Sequence, residues 1–400
     1  MTHRTTTPDR PSARTRWLCT TAFVIALCGC GGGGGGVETG GTGAAVFSAG
    51  TITGFGSIVV GGVHFDDSRA SVTDADGTVR SRDDLRLGMT TEVRGDAIVT
   101  DAAGTPVSVA TSIVFGSDLL GPLTAIDRTA NRLVVLGQTI DIGAITVFDD
   151  ASLGGGLAAL SVGDVIEVYA LFDASTGRYG ATRIERKSGV TGFALRGPVT
   201  RLDVAARAFN IGTERISYAA FGGALPPGLA NGTTVRVRLR TSQVGGAWIV
   251  SSIGDGVQRP LDRDEVRLDG RVSAFVSATR FSVDGIAVDA SAVNAAGVAL
   301  GVRVEIEGTA NGGAIVAAKL NVKSESESEA QDFELRGSVA SPNPGASSFV
   351  VRGVTVTYSG ASTEFRNGTA AGLVNGANVE ARGKLSANGT QLAATRITFR

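Results

Sequence analysis

Two histidines and three cysteines are all that the 400 residues hold of the side chains most used as soft metal ligands and activated nucleophile–base pairs. His3 lies in the N-terminal leader, so His64, in Val63-His64-Phe65-Asp66-Asp67, is the histidine of the body. A triad needs a nucleophile within reach and a metal needs further donors, and neither a second histidine nor a thiol can join His64. It reads as a strand-face histidine without a chemical role. Asp74-Ala75-Asp76-Gly77 begins like a calcium loop, but Val79 and Arg80 follow where oxygen donors belong and no glutamate closes it, so it reads as a solvated turn. The pairs Asp83-Asp84 and Asp149-Asp150, and the run Asp262 to Glu265, lack the flanking apolar residues that would separate their pKa values for acid–base work. Glycine runs at 31–36 and 154–156 are not followed by the Lys-Ser/Thr of a phosphate loop. The expectation is therefore no catalytic residue, no metal, no cofactor and no enzymatic activity.

One basic feature stands out. In Val235 to Arg240, alternation places Arg236, Arg238 and Arg240 on one outer strand face, suited to pairing with a neighbouring domain or to an anionic ligand. Nucleic acid is not expected, because exposed stacking aromatics are missing and the body is slightly acidic. Trp248 is too isolated for a sugar platform, and Phe209, Phe281 and Phe349 recur at one repeat position, as core residues would.

The N-terminus gives an address. Four arginines precede an eleven-residue apolar run, Trp17 to Leu27, too short to span a bilayer as a mature helix and built like a signal peptide. Leu27-Cys28-Gly29-Cys30 resembles the bacterial lipobox, which implies cleavage after residue 29 and acylation of Cys30. Each buried methylene contributes about 0.8 kcal/mol, so two or more chains anchor a protein stably. Gly31 to Gly36 reads as a flexible tether, and Gly31 in place of aspartate resembles the pattern that permits passage to the outer membrane. Cleavage leaves 33 basic and 37 acidic residues. All three cysteines lie in the first thirty residues, so the body has no internal disulfide.

The positioning elements come from repetition. Glycine followed by residues apolar at the third and fifth positions recurs at Gly88, Gly163, Gly232, Gly301 and Gly376, spaced 75, 69, 69 and 75 residues apart. An opening element stands at Gly50, Gly121, Gly197, Gly270 and Gly337, and between the two lies a third, from SIVVGG at Ser57 to SFVVRG at Ser348. Period-2 alternation marks strands with one buried face: Val302, Val304 and Ile306 inward, Arg303, Glu305 and Glu307 outward. Asp284-Gly285 and Gly353 supply hairpin turns. Each copy thus holds an opening strand, a hairpin, a loop or helical stretch such as 149–163, a strand after the marker glycine and a closing strand. That is the order of the OB-fold barrel. An unclosed five-stranded sandwich is the alternative, less favoured because closure removes aggregating edges.

Residues 50 to 66, GTITGFGSIVVGGVHFD, behind a cysteine and a glycine tether, resemble the first copy in bacterial lipoproteins built from domain of unknown function 5666, and the later copies resemble it more weakly. That resemblance implies no activity, ligand or catalytic residue. The expected organisation is all-β: a signal peptide at 1–29, lipidated Cys30 and tether at 30–48, then five tandem OB-fold-like barrels at 49–116, 117–190, 191–256, 264–323 and 332–400. They are expected to form a rod that bends at two polar linkers, from Gly254 and from Lys323. The expected role is a binding or structural module on the bacterial outer membrane, facing periplasm or surface. Its partners would be the lipid bilayer, through Cys30, and an envelope protein or polysaccharide. An envelope-polymer hydrolase at a barrel interface and an oligosaccharide-binding protein are the alternatives.

Overall fold

The computed structural model describes residues 44–324, 327 and 331–400. The expected signal peptide, Cys30 and the glycine run lie outside them. The chain is all-β, and its strands close into small five-stranded barrels. No helix among the described residues is long and apolar enough to cross a membrane.

The second copy gives the pattern. Its opening strand, Leu119–Asp127, pairs antiparallel with Arg132–Val135, which turns through Leu136 and Gly137, both at positive φ, into Gln138–Phe148. That third strand runs parallel to the closing strand Arg178–Lys187, the closing strand pairs antiparallel with the marker strand Val165–Asp173, and the marker strand returns to the opening strand. Numbered along the copy, the ring runs 1-2-3-5-4 and back to 1, with 3 and 5 the parallel pair. The expected loop stretch holds a short helix, Asp150–Leu153, capped by Asp149. Phe193–Asp203, Ala208–Ile211, Glu214–Ser217, Ala247–Asp255 and Thr234–Val244 make the same ring in the third copy.

Each marker glycine closes its ring by two backbone bonds. The Gly163 N–H donates to the Leu123 carbonyl at 2.8 Å, and the Leu123 N–H donates to the carbonyl of Asp164 at 2.8 Å. Gly88 with Ile52, Gly232 with Val199, Gly301 with Val272 and Gly376 with Val339 repeat this exchange. The five glycines have φ between +82° and +97°, a region that a Cβ makes costly, which is why glycine recurs there. Seven residues on, every marker strand shifts register against its closing strand, at Gly95, Ala170, Leu239, Gly308 and Gly383. Such a bulge adds the bend that lets a short sheet curl shut.

The copies do not line up as a rod. The opening strand of the first, Val46–Thr51, runs parallel to Glu265–Ser277 of the fourth over Val46–Ala49, and Gly54–Phe55 pairs with Glu334–Leu335 of the fifth. Val46 and Phe47 are buried, so the strand takes in three residues that the sequence reading gave to the tether. One apolar core joins the first copy to the fifth and another joins the second to the third, while Phe47 and Ala49 enter the core of the fourth. The segment from Gly254, expected as an exposed linker, is fastened: Val257 is buried, and Arg94 donates to Asp264 at 3.0 Å and to the Arg259 carbonyl at 2.6 Å. The second expected linker lies partly outside the described residues. A 70-residue barrel buries only about 60% of its unfolded surface, so sharing cores is the physical remedy.

Replacing Gly232, at φ +90° with open space around it, by alanine should cost about 1–2 kcal/mol. Gly222→Ala, also in open space but without a positive φ, should stay within about 0.5 kcal/mol of wild type. Denaturant unfolding compares them, and equal losses would contradict a conformational role for the marker glycine.

Candidate functional site

The position four residues after each marker glycine is Glu92, Glu167, Glu305 and Glu380 in four copies and Arg236 in the third. Alternation predicts a solvated outer face there, but several of these side chains are spent on ion pairs within their own copies. Glu167 pairs with Lys187 at 2.9 Å. Glu380, buried, pairs with Arg336 and Arg382, both at 2.9 Å, and with Arg400. Hydrogen bonds from Arg400 and Arg336, with the charge of Arg382, outweigh desolvation and hold the Glu380 carboxyl down at about 2. Arg303, expected outward, is buried against Asp269 at 2.6 Å.

Glu92 and the odd Arg236 face one cavity of about 80 Å³, together with Asp118, Arg196, Asp269 and Asp284, where the first four copies meet. Asp118 is buried just ahead of the second opening strand. Its carboxylate accepts from the Ala170 N–H at 2.9 Å and from Arg196 Nη1 at 3.0 Å. Arg196 also donates to the Gly256 carbonyl at 2.5 Å, and Arg236 donates to the Ser117 carbonyl. Asp284 sits at φ +47° in the hairpin turn of the fourth copy, over Gly270, whose missing side chain leaves the carboxyl its place. Burial pushes the Asp284 carboxyl up to about 7, against the pull of Arg196. Burial likewise raises Glu92, with Arg196 and Arg236 opposing, and lowers the Arg236 guanidinium, with Arg196 adding to the effect.

The sequence-predicted residues separate here. Arg236 lines this cavity. Arg238 reaches the first copy, donating from Nε to Asp76 at 2.7 Å, while Arg240 is exposed and makes no ion pair among the described residues. Asp76 belongs to the calcium-like turn, whose Asp74 is spent on the Asp76 and Thr78 amides and on Arg80. His64 sits 4.0 Å from Glu334 of the fifth copy, and desolvation lowers its pKa despite that carboxylate. Trp248 donates to Glu214 at 2.7 Å and packs edge-on to Phe193, so it is core. The reading from sequence missed Asp118, Arg196 and Asp284; the one signal was arginine where the other copies carry glutamate.

Chemically, Glu92 and Asp284 are carboxyls that hold protons unusually late, beside two guanidiniums. Yet about 80 Å³ holds roughly two or three waters at about 30 Å³ each, not a sugar ring. A neighbouring cleft of about 510 Å³ is roomier, but its lining sets six carboxylates against six cations, with Arg80 paired to Asp74, Arg238 to Asp76 and Lys187 to Glu167 and Glu185.

Because Asp284 titrates near 3.9 when unfolded and at about 7 when folded, the folded chain keeps a proton that the unfolded chain has lost. Its contribution to stability is complete below about pH 4 and disappears as pH rises through about 7. Asp284→Asn should therefore melt like wild type at about pH 4 and progressively higher than wild type towards about pH 8. A melting difference that does not grow with pH would contradict this environment.

Among known proteins, residues 121–185 and 336–398 match the family described as domain of unknown function (DUF5666). No curated protein matches the chain. The two matched stretches carry the opening strand, hairpin, marker strand and closing strand of the second and fifth copies, a match at two regions that is consistent with a repeat-containing protein of this domain of unknown function.

Proposed function

We propose that the protein is a lipid-anchored, non-enzymatic module of the bacterial outer membrane, in which all five copies are OB-fold-like barrels in tandem. The anchor reading rests on Leu27-Cys28-Gly29-Cys30 with the glycine run behind it. The barrel reading rests on the 1-2-3-5-4 ring and on the five marker glycines with their paired backbone bonds. One observation carries the structural role: charges on the marker strands join copies to one another, as in Arg238–Asp76 and Arg94–Asp264. An assembly knit in this way offers envelope proteins or polysaccharides a rigid platform at the end of a leash.

The enzymatic alternative draws on Glu92 and Asp284, whose raised pKa values are what acid–base work requires. The small cavity that holds them weighs against a polymer substrate.

Cys30→Ala should move the protein from the membrane pellet to the soluble fraction, and unchanged detergent partitioning would refute the anchor. Incubation with purified envelope polysaccharide should release no fragments. Release that disappears in Glu92→Gln would replace this reading with the hydrolase.

A further inference from the structure

Where the first, second and fifth copies meet there is a second kind of crevice, about 470 Å³ in volume. Its floor is apolar, formed by Phe55, Leu85, Val147, Phe148, Val354 and Leu385. Its walls are fixed between copies. The Phe148 N–H donates to the Gly389 carbonyl at 2.9 Å, Arg183 donates to the Leu87 carbonyl at 3.2 Å, and Gly54–Phe55 pairs with Glu334–Leu335. A volume in the range of about 300–1,000 Å³, with preformed walls, an apolar lining and a few polar groups at the rim, is what small-ligand sites present.

The charges at its mouth differ from those of the 510 Å³ cleft. Arg183 is neutralised by Asp149 at 2.9 Å. Arg82 and Arg352 are exposed, and neither makes an ion pair among the described residues. Arg86 donates to the backbone carbonyls of Asp83 and Leu85, and Arg352 stands over the Phe55 ring, 5.9 Å from its centroid. Against Arg82, Arg86 and Arg352 stand Asp83 and Asp150, which leaves the mouth one charge positive. Guanidinium forks suit a carboxylate, and a single positive excess suits a single negative charge better than a doubly charged phosphate.

We propose that this crevice binds a free long-chain carboxylate, with the acyl chain along the Phe55–Phe148–Val354 floor and the head group held by Arg82 and Arg352. The inference goes beyond the reading above and stands without it.

The test uses the full chain carrying Cys30→Ala, so that no acyl group of its own competes. Dodecanoate titrated calorimetrically should bind one equivalent and displace 1-anilinonaphthalene-8-sulfonate. Arg82→Ala combined with Arg352→Ala should weaken it at least about tenfold, an effect of the size expected when charge-assisted hydrogen bonds are lost. Val354→Trp should abolish binding by filling the crevice. If that variant loses the wild-type melting transition, Leu385→Trp on the facing wall takes its place. Neutral dodecyl maltoside should bind far more weakly than dodecanoate. No saturable binding, equal binding of the neutral detergent, or full affinity in the arginine variant would overturn the proposal. Because the variant chain has no anchor, none of these results bears on the anchor reading.

Discussion

Each copy depends on a ring of two backbone hydrogen bonds that only a left-handed residue can complete. A five-stranded barrel of some seventy residues closes when its fourth strand, after a long excursion, lands beside the first in one register. The marker glycine makes that landing specific: at φ between +82° and +97° it donates to the residue two after the opening glycine, while the next residue accepts from that same partner. A slip by one residue would turn every inward valine outward. The opening glycines serve the same closure from the other side. A Cβ at Gly121 would fall 2.6 Å from Leu136 and one at Gly197 would fall 2.7 Å from Ile211, so the hairpin lies down on the first strand only because nothing projects there.

Closure solves the edge problem but not the problem of size. The first and fifth copies share one core and the second and third share another, so chain neighbours and spatial neighbours differ. The residues between barrels then leave water. Asp118 with Arg196 and Asp264 with Arg94 join different copies as partly buried ion pairs, which contribute little net stability but penalise any docking that leaves one charge alone. They act on register and orientation, whereas apolar burial supplies the driving force. The crevices left where copies meet inherit the character of the faces around them: charged and small among the first four copies, apolar and open among the first, second and fifth.

Repetition made much of the fold legible. The marker and opening glycines, the hairpin turns at Asp284-Gly285 and Arg352-Gly353, and the buried Phe209, Phe281 and Phe349 were all readable from spacing and residue type. The meeting of copies was not. Period-2 alternation separates the two faces of a strand, but it cannot say whether the polar face meets water or closes into buried ion pairs, which is why Arg303 and Glu380 read as exposed. Nor does sequence adjacency foretell that the first opening strand lies along the fourth. Arg236 was the legible trace of the charged junction, and its meaning depended on Glu92 and Asp118 arriving from other copies. The polar segment from Gly254 misled because one buried residue, Val257, and two carbonyls pin it down.

The chain forms closed barrels that share cores across its length, and amide hydrogen exchange under native conditions reads both features at once. The Gly88 and Gly376 amides belong to copies far apart in sequence that share one core, so both should be protected and exchange through the same opening, with matching dependence on denaturant. Fast exchange at these glycines, or a Gly376 amide that opens independently of Gly88, would contradict this arrangement.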